Sequence, residues 1–351
     1  MIQIIWYEIM RVYVRIGLYF LHKKITVHGV ENIPKKGAVL FIPNHQNALI
    51  DAVLIPTTNK RNIHFLTRAS AFKNKIANKI LRSLNMIPVY RIRDGINSVE
   101  KNIAVFEQCF EILKKEKAIQ IFAEGEHHQY RRIIPLKKGF ARIILGTLQK
   151  YPDLNIQIVP VGINYDSHLN FPSSVSIYYG KPIQANSYFN VENPDLKFKA
   201  ILNKVSTELK ELTTHIEDVK KHDEIIDKLK AVDADFLNPI ETNKILKKLD
   251  SFSQKKPFKE SKINWFTPIH IFTRINSFFP LLLWKKLKPK IKDIIFTNTY
   301  RFALILTIFP LFYLIQAGII SFFFNYKVGL IYLGICIITS TITSKTMIVT
   351  P

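Results

Sequence analysis

Residues 37 to 54 read GAVLFIPNHQNALIDAVL. The run GAVLFIP, residues 37 to 43, is apolar at consecutive positions, as in a strand buried between two helix layers. It stops at a polar loop, and Asp51 opens a helical stretch that reaches about residue 59. The same alternation continues downstream. NIHFL (62 to 66), NMIPVY (85 to 90), AIQIF (118 to 122), IQIVPVGI (156 to 163) and SVSIYYG (174 to 180) read as strands. Residues around 70 to 84, 97 to 116 and 138 to 150 read as helices. Strands and helices in that order predict an α/β sandwich with βαβ crossovers over residues 25 to 189.

The flanks differ in kind. In residues 1 to 24, Glu8, Arg11, Arg15 and His22 recur at helical spacings and leave a broad apolar face. That pattern suits an amphipathic helix lying in a membrane interface, or one packed on its own domain. Residues 190 to 262 are rich in Lys and Glu and predict an exposed helical appendage with a solvated face. Residues 263 to 301 mix aromatics with lysines, as a membrane approach does. Residues 302 to 326 carry no charge and are long enough to span a bilayer, and 328 to 344 form a second uncharged run. Together they predict a transmembrane helical hairpin over 302 to 351. The cluster WKKLKPKIK before it places the bulk of the protein on the cytoplasmic face of the membrane.

The chain has 351 residues, 50 Lys and Arg against 27 Asp and Glu, and a formal net charge of +23. Such an excess suits nucleic acid, an anionic membrane surface or phosphorylated substrates. The hairpin accounts for it with membrane lipids as partner and no nucleic acid. Two cysteines, Cys109 and Cys336, have no paired spacing and suggest neither a disulfide framework nor a thiolate metal site.

Four blocks carry chemistry. In PNHQNALIDAVL, His45 and Asp51 are placed so that a loop curling back would hydrogen-bond carboxylate to imidazole, making the free ring nitrogen a better base. A loop histidine beside a helix-capping Asp has the same spacing. In NMIPVYRIRDG, Arg91 and Arg93 follow a strand end and can grip an anion. In IFAEGEHHQYRRIIPLKKG, Phe122, Glu124 and Gly125 end a strand, and Arg131, Arg132, Lys137 and Lys138 can neutralise a phosphate. Glu124, Glu126, His127 and His128 lack a ligand spacing typical of metal sites, so no metal is expected. In VPVGINY, Pro160 and Gly162 interrupt a strand or shape a groove.

These blocks, in this order, resemble the glycerolipid acyltransferase superfamily, the PlsC-like glycerol-3-phosphate and lysophosphatidic acid acyltransferases. The resemblance spans residues 25 to 185. It implies that His45 and Asp51 are catalytic, with Asn44 beside them in the substrate-binding set. It implies that Arg91, with Arg93, contacts the acceptor phosphate, that Phe122, Glu124 and Gly125 bind the acceptor, and that Pro160 belongs to the acyl-donor side. One extra residue between His45 and Asp51, and the PLKxG segment holding Lys137, are similar to the subgroup of dual glycerol-3-phosphate and dihydroxyacetone-phosphate acyltransferases. Ala123 stands where that family has proline. The expected reaction is direct acyl transfer from a coenzyme A or carrier-protein thioester to a glycerol-phosphate hydroxyl, with no further cofactor. A lysophospholipid acceptor is the alternative within that chemistry, and a non-catalytic membrane-surface protein the alternative outside it.

Overall fold

The computed structural model describes residues 2 to 90, 98 to 189, 193 to 249 and 264 to 348. Arg91 and Arg93 lie outside the described residues. A mixed sheet of β1 (His22–His28), β2 (Ala38–Pro43), β3 (Ile63–Arg68), β4 (Met86–Val89), β5 (Ala118–Gln120), β6 (Ile156–Tyr165), β7 (Ser173–Tyr179) and β8 (Ile183–Gln184) forms the centre. Its order is β1-β7-β6-β2-β5-β3-β4, with β8 on β6. The run β6-β2-β5-β3-β4 is parallel throughout, so the carboxyl ends of these strands share one edge. In an open α/β sheet that edge is where ligand sites form.

The double-sided apolar pattern of residues 38 to 43 is used on both faces. Leu40 and Ile42 enter one core with α4 (Ser98–Lys114), α5 (Gly139–Lys150) and α6 (Pro194–Leu212). Val39 and Phe41 enter the other with α1 (Ile2–Leu21), α2 (Ala48–Thr58) and α11 (Thr297–Leu306). The result is the three-layer α/β arrangement expected from the alternation of elements. Pro160 is tolerated inside it because β6 changes partner there. The Val161 carbonyl accepts from Asn44 on the β2 side, so Pro160 faces the gap between the β8 and β7 ladders, where its carbonyl accepts from Gly180 N at 2.9 Å. The missing N–H breaks no ladder bond.

Three expectations change. The sheet starts at His22, not at residue 25: His22 leaves the polar helix face assigned to it and is 0% exposed at the head of β1. Residues 190 to 262 are not a solvated appendage throughout. In α6, Ile201, Val205 and Leu209 are buried in the sheet's core. Each contributes roughly 1.5–3 kcal/mol of burial, and their four-residue spacing is hidden among lysines and glutamates. The first apolar limb does not begin free at residue 302. Phe302 and Leu304 are 3% and 6% exposed, packed in α11 beside α1, and the chain continues through α12 (Ile308–Phe323). The second limb is α13 (Tyr326–Thr346). Two stretches, Ile294–Phe323 and Tyr326–Thr346, are long and apolar enough to cross a bilayer. The outward face of α1 carries Ile5, Ile9, Val12 and Ile16, each more than half exposed.

Candidate active site

His45 sits in the loop between β2 and α2, at the carboxyl edge of the parallel strands. Its Nδ1 lies 3.0 Å from Asp51 Oδ2, and the carboxyl is 0% exposed in the first turn of α2. The six-residue separation closes because the loop turns back: Gln46 N and Asn47 N also donate to Asp51 Oδ2, at 2.7 and 2.6 Å. Asp51 Oδ1 accepts from Tyr165 OH at 2.6 Å. Burial and the carboxylate push the Tyr165 phenol well above its ordinary range, so it remains a donor. With so many donors on one carboxylate, the His45 Nδ1 must carry its proton. Nε2 then presents a lone pair, with no hydrogen-bond partner among the described residues. Between His45 and Asp51, Ala48 has a φ of 39°, in the left-handed region. A side chain there costs roughly 1–2 kcal/mol.

The loop after β5 supplies the other wall. The Phe122 ring stacks on His45 at 3.8 Å between centroids, 16° from parallel. Glu124 is 0% exposed and binds the loops together rather than facing solvent. Its Oε1 accepts from His45 N at 3.0 Å and its Oε2 pairs with His128 Nε2 at 2.7 Å. Gly125 has φ 74°, and a Cβ there would stand 3.1 Å from Lys137 Cγ. Lys137 N donates to Ala123 O at 2.7 Å, closing the loop while its side chain stays exposed. Asn44 is 1% exposed, and its amide bridges Ile163 N and O. It therefore fixes the sheet under His45 instead of facing a substrate. Pro160 likewise sits inside the sheet, two residues short of that level.

Arg131 departs most from expectation. It was grouped with phosphate-neutralising cations, yet it is 8% exposed, with its guanidinium 3.9 Å from the Phe236 ring and Nη2 donating to Asp166 O. Burial pushes it down to about 10. Its backbone is also held: Arg131 N donates to His222 Nε2, and Ile216 N donates to Arg131 O. Residues 213 to 236 thus clamp the loop that carries Glu124 and His128.

Several residues near His45 escaped the sequence reading. The His127 ring stands edge-on to His45 at 5.5 Å, and its Nε2 is 3.2 Å from Asp293 Oδ2. Phe296 closes over the same ring at 5.3 Å. Burial lowers the His127 pKa against the hydrogen bond it donates to Asp293, and the charge of Arg68 lowers it further. Arg68, at the end of β3, therefore places a cation beside this wall. Tyr165 had a signal, a polar aromatic ending an apolar strand at the reactive edge. Asp293 and Phe296 had none, being about 250 residues away in a lysine-rich stretch.

Residues 24 to 164 match the acyltransferase family model. Over 119 residues the chain is 34% identical to glycerol-3-phosphate O-acyltransferase 1 of Saccharomyces cerevisiae, covering 32% of this chain and 16% of that protein. Over 174 residues it is 26% identical to 1-acyl-sn-glycerol-3-phosphate acyltransferase of Borreliella burgdorferi, covering 48% of this chain and 64% of that one. The crystal structure of the 1-acyl-sn-glycerophosphate acyltransferase of Thermotoga maritima aligns with a TM-score of 0.44 at 20% identity, over 60% of this chain and 81% of that one. The chain thus spans between 16% and 64% of the length of these two curated relatives. Through residues 24 to 164 the chain carries a segment that matches the acyltransferase family.

Proposed function

We propose that the chain is an O-acyltransferase that moves a fatty acyl chain from an acyl thioester to a hydroxyl of glycerol-3-phosphate, or of dihydroxyacetone phosphate, at a membrane. The observation that carries this reading is the His45–Asp51 pair, with Nδ1 held on the carboxylate and Nε2 unengaged. His45 Nε2 takes the acceptor's hydroxyl proton as the oxygen attacks the thioester carbonyl. The C–O bond forms, the C–S bond breaks, and the departing thiolate recovers the proton from the imidazolium. Positioned base catalysis of this kind is worth roughly 100- to 10,000-fold. Asp51 stabilises the imidazolium, and the stacked Phe122 ring fixes its plane. Arg91 and Arg68 supply the charge for the acceptor phosphate, and orienting one hydroxyl toward Nε2 is the larger share of their effect. The donor is a coenzyme A or carrier-protein thioester; no other cofactor enters. The lysines from 285 to 292 favour the cytoplasmic side for the domain.

Similarity to a 1-acyl-sn-glycerol-3-phosphate acyltransferase supports a second reading with a lysophospholipid acceptor. Purified chain incubated with radiolabelled acyl thioester and each acceptor separately decides between them. Product with the three-carbon phosphates supports the first reading, and product with lysophosphatidic acid alone supports the second. No product with any acceptor overturns both and leaves a non-catalytic membrane protein. His45→Ala in folded protein abolishes turnover if the mechanism is right; near-wild-type turnover refutes it.

A further inference from the structure

The segment between the α/β domain and the two long apolar helices folds into a pair of short helices, α9 (Thr267–Asn276) and α10 (Phe278–Leu287). They turn sharply at Asn276 and Ser277 and run back against α12 and α13. α9 lies antiparallel to α13: His270 meets Thr346 at 2.8 Å, Thr273 meets Thr343 at 3.1 Å, and Asn276 reaches Cys336 and Tyr332. α10 descends along the other limb, with Phe278 and Phe279 on Phe312 and Trp284 beneath Arg301. Each short helix has 10 residues, or about 15 Å of rise. α13 has 21, or about 32 Å, enough to cross a hydrocarbon layer of about 30 Å. The turn therefore stands near the middle of the long pair.

We infer that α9 and α10 form a re-entrant hairpin that enters the bilayer from the side of the catalytic domain, reaches its midplane and returns. The polar groups at the turn are satisfied as a hydrocarbon surrounding demands. Asn276 Oδ1 accepts from Tyr332 OH at 2.7 Å, Asn276 Nδ2 donates to Cys336 Sγ at 3.3 Å, and Asn276 O accepts from Gln316 Nε2 at 3.3 Å. Ser277 Oγ bonds Tyr313 OH at 2.6 Å, and that hydroxyl meets Ser340 Oγ at 3.0 Å. Gln316 Oε1 is the exception, buried with no partner. The outward face is apolar: Ile271, Ile275, Phe278 and Leu282 are 54%, 69%, 56% and 51% exposed. That face is continuous with the lipid-facing sides of α12 and α13, and lysines 285, 286, 288, 290 and 292 gather at the base. Arg274 is the one Lys, Arg, Asp or Glu between Thr267 and Trp284. α9 runs from base to tip and its side chains lean toward its amino end, so Arg274 reaches back toward the headgroups. The inference is independent of the acyl-transfer chemistry.

The test is thiol accessibility in the full chain, reconstituted in sealed vesicles of neutral lipid. Cys109 and Cys336 are both buried, so the unsubstituted chain supplies the blank. Trp265→Cys marks the base, Ile275→Cys and Phe278→Cys the tip. A membrane-impermeant maleimide is applied outside, loaded inside, and then added after detergent dissolves the vesicles. The expected result is modification of Trp265→Cys from the catalytic side. Both tip thiols should react roughly tenfold or more slowly from either side, because hydrocarbon suppresses the thiolate. In detergent the tip thiols should react readily, since the protein itself leaves these positions mostly exposed. Tip thiols that react from the catalytic side in intact vesicles overturn the inference in favour of a surface-lying pair. Reaction from the far side overturns it in favour of spanning segments. If one tip variant fails to fold, the other and Leu282→Cys answer the same question.

Discussion

Replacing Asp51 by Asn tests whether the loop geometry or the carboxylate's charge sustains the base. An amide has two orientations at this position. If its NH2 took the Oδ2 site, it would donate to His45 Nδ1, drive the proton to Nε2 and remove the base. Gln46 N and Asn47 N both point at Oδ2, at 2.7 and 2.6 Å. Two donors facing an NH2 group would cost roughly 1–3 kcal/mol each, so the amide oxygen takes that place and the NH2 turns to Tyr165 OH. The tautomer survives and only the charge is lost. For charge centres about 4 Å apart at an effective dielectric near 20, a full imidazolium would lose about 4 kcal/mol. With the proton half transferred the loss is about 2 kcal/mol, or roughly 30-fold in turnover. Stability should change little for Asn, whereas Asp51→Ala leaves two loop N–H groups and the Tyr165 hydroxyl unpaired, for roughly 3–9 kcal/mol. Steady-state turnover of Asp51→Asn, Asp51→Ala and His45→Ala, each with a thermal melt, measures these effects. Folded Asp51→Asn as inactive as His45→Ala would refute the argument from the loop donors. Wild-type turnover would refute the role of the charge.

Tyr165→Phe frees Asp51 Oδ1 while leaving Oδ2 anchored, and turnover should fall about tenfold with little change in KM, the loss of one hydrogen bond to a charged group; unchanged turnover counts against it. His22 is buried and held near pKa 4, below its ordinary 6.5, so the unfolded chain takes up a proton first as pH falls. The fold loses about 3 kcal/mol between about pH 6.5 and 4, and His22→Leu should flatten that dependence in melts at pH 7 and 5; an unaltered dependence would show that His22 does not drive it. Gly162→Ala would set a Cβ 2.0 Å from the Leu212 carbonyl oxygen, and displacement of the end of α6 should lower stability by about 2 kcal/mol or more in a thermal melt. A melt like that of the parent would mean that α6 yields without cost.

The double-sided apolar runs gave away the parallel strands because only a strand between two helix layers tolerates them. β1 escaped because HKKITVH opens with three polar residues and holds only two apolar ones, Ile25 and Val27, so it reads as the tail of α1; its pairing with β7 is what makes it a strand. α6 escaped because its buried stripe is narrow. At the site, the His45–Asp51 pair was legible from a strand, a loop and a helix start. What makes the pair work was not. The Phe122 stack, the Tyr165 hydroxyl and the Glu124 brace join residues 77 to 114 positions apart, and only the sheet order brings them together. Arg131 misled for a general reason. Charge in a loop suggests ligand binding until burial and an aromatic partner show that the cation is holding its own fold together.

Lys345, near the end of α13, donates to the carbonyls of Tyr19 and His22, at 2.6 and 2.7 Å, where α1 gives way to the sheet. Gly17 of α1 meanwhile lies against Phe302 and Leu306 at the foot of the other limb. The α/β body is thus fastened to both limbs at several points, for Asn298 and Arg301 also donate to the carbonyls of His168 and Leu169. A load attached at one point swivels; one attached at several is held in orientation. On the membrane reading proposed above, the mouth beside His45 would keep a set height and compass bearing over the bilayer and sample the lipid surface from a fixed pose, not as a ball on a string.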